Sequence, residues 1–279
     1  MYVIGLLYSK YSVYYLKTEL FIKRSDITLL TPSNLTSSQI EAQMNFNEWV
    51  QNKESYVILD TETTGLRDAE IVDIAVIDLD GKVLFNSLVK PVNPIPYTAT
   101  RIHGITNEMV KDSPTWLEVW EKLYPIIKNK TLLIYNDKFD IRMMFESFHP
   151  YDRYDTEDSI LQLGNITSYC VMRTYAQLIN SSKWVKLSEA CGYETKHRAL
   201  DDCIATLDVI RKNYRPEFTQ DTLRMYQKYQ YLDDQIRECS QQIQELANKQ
   251  VELLKEQQKI EKQLNNKTKK AITKTLFLA

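Results

Sequence analysis

Apolar residues change their spacing several times along this chain, and each change predicts a different element. Over residues 56–62, 71–78 and 82–90 they run together or alternate and are rich in Val, Ile and Leu, the pattern of strands. Asp80-Gly81, between the second and third runs, is a hairpin signal. Pro91, Pro94 and Pro96 then exclude regular structure. Helical spacing follows Ser113-Pro114 at 116–128, gives way to a short apolar run at 131–135, and returns at 137–148, 175–179, 187–191 and 199–212. Three meandering strands followed by helix, strand, helix, strand and helix predict an α/β domain over 53–216, a mixed sheet flanked by helices. The polar stretch 150–168 is longer than a typical connection.

The flanks differ from this domain. Residues 1–52 form an accessory segment of unassigned role, with tyrosine-rich, β-prone runs at 2–8, 12–16 and 20–22. The loop "TPSNLTSS" follows. Ser37 or Ser38 then caps a short helix running to about Gln51, with Ile40, Met44, Phe46 and Trp49. Tyrosine-rich strands are more often half-buried sheet surface than base-stacking platforms, because such platforms come with a basic groove.

Residues 217–267 carry a heptad repeat. Phe218, Met225, Leu232, Cys239, Leu246, Leu253 and Ile260 occupy one position. Tyr229, Ile236, Ile243 and Leu264 occupy the other, with Thr222, Gln250 and Gln257 in its gaps. No proline or glycine follows Pro216. The pattern fits a coiled coil, joining a second copy or a protein partner through 218–264. It also fits a long amphipathic helix folded back on the body.

At 279 residues the chain is long enough for one or two domains with a core of normal size. Its net charge of −2 does not advertise a polyanionic partner by bulk electrostatics. The charge is uneven, with 11 basic and 9 acidic residues in 217–279 against 24 and 28 elsewhere. Lys262, Lys267, Lys269, Lys270 and Lys274 have no acid after Glu261, so 268–279 is a basic and apolar tail. Such lysines solubilise a helix end or meet phosphates. Cys170, Cys191 and Cys203 lie among apolar neighbours and, with Cys239, form no C-x-x-C pair, as expected of buried thiols in a reducing compartment. The N-terminal apolar run has no preceding basic region and is broken by Lys10, and no run nears the ~20 apolar residues that span a bilayer. A cytoplasmic location without membrane contact is the expectation.

The chemistry begins in "VILDTETTGL", residues 57–66, where an apolar strand ends in paired acids. Residues i and i+2 of a strand share a face, so Asp60 and Glu62 project side by side. Two like charges at the end of a buried strand repel, and each is driven toward its neutral form. A hard divalent cation with oxygen ligands relieves that repulsion, and so does a strand end that dips into solvent. Two further stretches add acids: "LLIYNDKFD" carries Asn136 and Asp140, and "HRALDDCIATL" places His197 before a helix bearing Asp201 and Asp202.

Together these stretches resemble the DnaQ-like 3′–5′ exonucleases of the DEDDh group. The matching residues are Asp60-x-Glu62 with Thr63-Thr64-Gly65-Leu66, Asn136-x-x-Phe139-Asp140, and His197-x-Ala199-Leu200-x-Asp202. Arg101-Ile102-His103-Gly104-Ile105-Thr106 is similar to a segment of the polymerase III epsilon-like branch. The resemblance spans about residues 55–212 and implies an RNase H-like fold that hydrolyses phosphodiesters from a 3′ end with two divalent cations, Mg²⁺ or Mn²⁺.

The same resemblance implies individual roles. Asp60, Glu62, Asp140 and Asp202 would be the metal ligands, with His197 as general base. Asp201 competes with Asp202, and helix periodicity does not separate them. His197 stands five residues before Asp202, as the histidine form requires; the tyrosine form needs a tyrosine where Arg198 stands. Thr61, Thr63, Thr64, Gly65, Leu66, His103, Asn136 and Phe139 are the implied substrate contacts, Gly65 permitting close backbone approach. Tyr135 departs from relatives that have histidine before the asparagine. The substrate is expected to be a nucleic acid with a free 3′ end, DNA first, with an RNA-directed exonuclease as the alternative, since 2′-OH contacts leave no trace in these motifs. A coiled-coil interaction protein with a nucleic-acid-binding module is the reading from another class.

Overall fold

The computed structural model describes residues 35–276. The strand-like runs expected at 2–8, 12–16 and 20–22 lie outside the described residues, as does the start of the "TPSNLTSS" loop. Helix α1 spans Ser37–Gln51, and a 3₁₀ turn at Lys53–Ser55 leads into β1, Tyr56–Thr63. Strands β2, Ile71–Ile77, and β3, Val83–Leu88, complete the meander. Short helices α2, Tyr97–His103, and α3, Asn107–Val110, precede α4, Trp116–Ile127. Then come β4, Thr131–Ile134; α5, Asp137–Glu146; α6, Arg153–Gly164; β5, Ser168–Cys170; α7, Val171–Leu178; and α8, Leu187–Cys191. Helix α9, Ala199–Lys212, matches its expected bounds, and α10 is one helix, Gln220–Leu276.

The five strands lie in the order β3-β2-β1-β4-β5. β1 is antiparallel to β2 and parallel to β4, so it stands where the sheet changes from hairpin to crossover connectivity. Its residues alternate between two cores. Ile58 joins Ala75, Ile77 and Leu133 under α1, α7 and α9, where Phe46, Trp49, Cys203 and Ile210 pack. Val57 and Leu59 join Ile74, Leu132 and Ile134 on the other face, under Trp116, Trp120, Leu123 and Met143. Burial on both faces explains the unbroken Val-Ile-Leu run and holds the strand's acid-bearing end in one place.

Local capping departs from expectation in three places. Helix α1 is capped by Thr36, not Ser37 or Ser38: Gln39 N donates to Thr36 Oγ1 at 3.2 Å, and Thr36 N donates to Gln39 Oε1 at 3.0 Å. The stretch 150–168 is not a long connection. It holds α6, capped by Asp152, whose Oδ1 accepts from Tyr154 N at 2.9 Å. Helix α7 begins at Val171 rather than 175, directly after β5. Beyond the proline-rich stretch, α2 starts immediately after Pro96 and ends at Gly104, whose φ of 74° is left-handed. Buried Glu70 ties that stretch to the sheet, accepting from Val92 N at 2.7 Å and from Asn93 N at 2.8 Å.

Helix α10 is 57 residues and about 85 Å long, and among the described residues it touches the body only at its start. Phe218 packs on Tyr226 with ring centroids 5.5 Å apart, and residues 234–267 are all exposed, so the helix is not folded back on the domain. Among the described residues no helix is long and apolar enough to cross a membrane.

The junction between body and helix turns on Asn47 of α1. Its Nδ2 donates to the carbonyls of Arg215 at 2.7 Å and Phe218 at 2.8 Å, and its Oδ1 accepts from Arg215 N at 2.9 Å. Asn47→Ala orphans these backbone groups, and a loss of about 1–3 kcal/mol is expected, read as a lower denaturant midpoint and faster proteolysis between residues 213 and 220. An unchanged midpoint would remove Asn47 from this role.

Candidate active site

The site forms where β1 runs out. Asp60 pairs across the ladder with Ala75 and Glu62 with Asp73, and the register slips between Glu62 and Thr63. A bulge there bends the strand and ends its pairing. Asp60 and Glu62 share the face of Ile58, against which α9 packs. Cys203 of that helix lies 3.8 Å from the Ile58 carbonyl and 3.5 Å from that of Ala75. This close approach brings Asp202 to the strand end. Glu62, His197 and Asp202 each offer one ligand atom within 4.8 Å of the others, and Asp201 is not in the group.

Asp140 arrives on the first turn of α5, buried, and is held by the residue between the two acids of β1. Thr61 N donates to Asp140 Oδ1 at 3.1 Å and Thr61 Oγ1 donates to the same oxygen at 2.6 Å. The remaining implied contacts spread around this cluster. Thr63 Oγ1 donates to the Gly65 carbonyl at 2.6 Å, and Thr64 Oγ1 accepts from Glu70 N at 2.9 Å, which folds the loop after β1. Leu66 is exposed at its tip. Phe139 lies under Arg142 at 5.7 Å. His103 is buried, its Nδ1 accepting from Ile105 N at 3.0 Å, and burial pushes its pKa down. A cavity of ≈480 Å³ is lined by Tyr135, Asn136, Trp184, His197 and Asp202 among others, but not by Thr63, Leu66 or Phe139.

Electrostatics follow from crowding. Loss of solvent pushes Asp60 well above the usual carboxylate range, and the charges of Asp140, Asp202, Glu62 and Asp73 push the same way. Burial, reinforced by Asp202, Asp73 and Asp140 and opposed by Arg198, raises Glu62 to about 8. Burial raises Asp140 to about 7 against the Thr61 hydrogen bonds that favour its charge. Burial also raises Asp202, opposed by Thr195 and His197. Asp202 Oδ1 is buried without a hydrogen-bond partner among the described residues. Oxygen donors that are crowded, short of protein cations and partly unpartnered fit a hard divalent cation.

Sequence reasoning missed Asp73 and Arg198. Buried Asp73 faces Glu62 across the ladder and accepts from Arg198 Nε at 2.7 Å. This ion pair grips the residue next to His197, whose own φ is 50°. A lone acid in the otherwise apolar "IVDIAVI" was the available signal for Asp73. Arg198 gave none, because its partner lies 125 residues away.

The chain also matches known proteins. The exonuclease family profile matches residues 57–210, from β1 into α9. An uncharacterized exonuclease, CP81, of Escherichia phage 186 is 38% identical over 176 residues, covering 58% of this chain and 89% of that protein. The DNA polymerase III epsilon subunit of Rickettsia prowazekii is 36% identical over 123 residues, covering 42% of this chain and 53% of that subunit, so this chain matches about half of its length. Among solved structures, exonuclease X in complex with 5′ overhanging duplex DNA aligns at 27% identity and TM-score 0.43, over 57% of this chain and 90% of that one.

The raised carboxyls carry a stability consequence. Glu62, at about 8, and Asp140, at about 7, hold protons in the fold that the unfolded chain releases near pH 4. Their contribution is therefore full below that pH and is lost as pH rises toward 8. In EDTA the melting temperature is expected to fall between pH 5 and 8, and Mg²⁺ to restore it by an amount that grows with pH. Calorimetry showing no Mg²⁺-dependent gain at pH 8 would contradict the cation site.

Proposed function

The chain belongs to the exonuclease family, in its DnaQ-like form, and on that footing we propose that it hydrolyses phosphodiester bonds from the 3′ end of DNA with the help of two divalent cations. The observation that carries the reading is the convergence of Glu62, His197 and Asp202 within 4.8 Å, with the carboxyls of Asp60 and Asp140 beside them. Relatives named as subunits of a DNA polymerase favour DNA over RNA. Four free thiols, three of them buried, suit a reducing compartment such as the cytoplasm.

Asp60, Glu62, Asp140 and Asp202 would hold the cations, Mg²⁺ or Mn²⁺. Bound there, the cations supply Lewis-acid stabilisation of charge on the phosphoryl and leaving oxygens and ease the ionisation of water. His197 stands at the exposed edge of the cluster and takes the proton of the attacking water, a task suited to imidazole near neutral pH. The Asp73–Arg198 pair fixes the backbone from which His197 reaches. Thr61 keeps one oxygen of Asp140 engaged and so orients the other. The loop from Thr63 to Leu66, with Phe139 and Asn136, would receive the terminal nucleotide.

A second reading concerns assembly, favoured by the exposed heptad face of α10. In register, Leu232, Leu246 and Leu253 fall at d with Cys239, and Ile236 and Ile243 at a. β-branched residues at a with leucine at d favour two parallel strands, and polar Gln250 and Gln257 at a set register. The partner is a second copy of this chain.

Strands labelled at the 5′ end are expected to give a descending ladder with Mg²⁺ or Mn²⁺ and none in EDTA, with DNA cut faster than RNA. Asp60→Ala should abolish cleavage in a folded protein, and His197→Ala should lower kcat about 10²- to 10⁴-fold. No metal-dependent shortening of either nucleic acid would sink the enzyme and leave a binding module.

For assembly, light scattering should give twice the chain mass for the full protein and a monomer for residues 1–216. Mild oxidation should join the two copies through Cys239. A monomeric full chain refutes the dimer.

A further inference from the structure

Trp184 is the tryptophan that packing does not explain. It is 73% exposed, whereas Trp49, Trp116 and Trp120 are 1–2% exposed. It stands in the segment between α7 and α8, at the meeting of two concavities. One is the ≈480 Å³ cavity that holds His197 and Asp202. The other, ≈230 Å³, is lined by Lys138, Arg173 and Lys183 with the hydroxyls of Ser181 and Ser182. Asn136, Met172 and Trp184 belong to both. The indole therefore marks where an acidic reaction site opens into a basic neighbour.

The charge pattern is local. Residues 171–188 contain Arg173, Lys183 and Lys186 and no carboxylate, in a chain whose net charge is −2. Among the described residues Lys138, Lys183 and Lys186 have no ion pair, and Arg173 has a 3.4 Å contact with Asp137. The segment is also braced. Tyr135 donates its buried hydroxyl to the Val185 carbonyl at 2.8 Å, one residue from the indole. Lys183 N donates to Ser181 Oγ at 3.1 Å on the other side. An exposed aromatic face held in place beside unpaired cations is the equipment of single-strand binding: bases stack on the ring while lysine and arginine meet phosphates.

We propose that Trp184 is a stacking platform for a base of the single strand upstream of the 3′-terminal nucleotide, with Lys138, Arg173 and Lys183 meeting that strand's phosphates. The proposal rests on the exonuclease reading and adds a subsite to it. It makes the enzyme sensitive to substrate length, because a mononucleotide has no upstream base to stack on the indole and no upstream phosphates for Lys138, Arg173 and Lys183.

Buried Trp49, Trp116 and Trp120 leave Trp184 as the indole open to iodide, so quenching of intrinsic fluorescence reports it selectively. A phosphorothioate octathymidylate is expected to lower the iodide quenching constant of the full chain several-fold, and thymidine monophosphate is not. Trp184→Ala should lower the ratio of kcat/KM for octathymidylate to that for the nitrophenyl ester of thymidine monophosphate about 5- to 150-fold. Trp184→Phe should restore most of that ratio. Cleavage of the octamer with unaltered quenching overturns the platform and spares the exonuclease. Equal loss on both substrates in Trp184→Ala also overturns it, placing the indole in the reaction site. Absence of both cleavage and octamer binding overturns the platform and the exonuclease reading together.

Discussion

Crowding four carboxyl groups out of water at one end of β1 is the constraint on which this site depends, the loss of solvent weighing more than their mutual repulsion. Asp60 and Glu62 at the end of β1 meet Asp140 and Asp202 from two helices, and burial raises the pKa of each. Left to themselves such groups take up protons or push apart. The fold prevents the second outcome with two complete hydrophobic cores, one on each face of β1. It moderates the first with local devices: two Thr61 donors on Asp140, Thr195 and His197 beside Asp202, and the Arg198 guanidinium beside Asp73 and Glu62. What remains uncompensated is a concentrated demand for external positive charge, and that demand is the binding energy available to cations and, through them, to a polyanion.

Much of this was legible from side-chain order, because strand and helix periods report burial directly. The Val57–Leu59 run, the hairpin at Asp80-Gly81 and the apolar stripe of α9 each depend on local pattern, and each element lies where the pattern puts it. The like-charge pair on β1 follows from strand geometry alone. What escaped depends on contacts across the fold. Helix α6 is so polar, presenting chiefly Leu163 and Thr156 inward, that its stripe is too thin to read. Helix α7 follows β5 without a breaking residue. Asp201 and Asp202 are about 100° apart around one helix, and only packing on β1 decides which faces the strand. Asp73 and Arg198 become a pair only when β2 and the start of α9 are brought together.

The two halves of the molecule follow different physics. The body is held by non-local packing about β1, so its site needs the whole sheet. Helix α10 is held by backbone hydrogen bonds and an apolar face that the body leaves uncovered beyond its first turns. Asn47 couples them through hydrogen bonds to the short link between α9 and α10.

His197 shows where stability and chemistry part company. A side chain bearing a Cβ at φ 50° costs of order 1 kcal/mol relative to ordinary backbone, and glycine escapes most of that penalty. Glycine at this position would relax the turn while deleting the imidazole. On the proposed mechanism, the strain that glycine would relieve at residue 197 offsets much of its greater loss of freedom on folding. Drift there therefore costs little folding free energy and leaves a protein that still carries the acidic cluster and the Trp184 cleft but has lost its base. Conversion into a silent binding protein would need no new fold and only a small change in folding free energy at that position. Keeping histidine there requires continued selection on turnover.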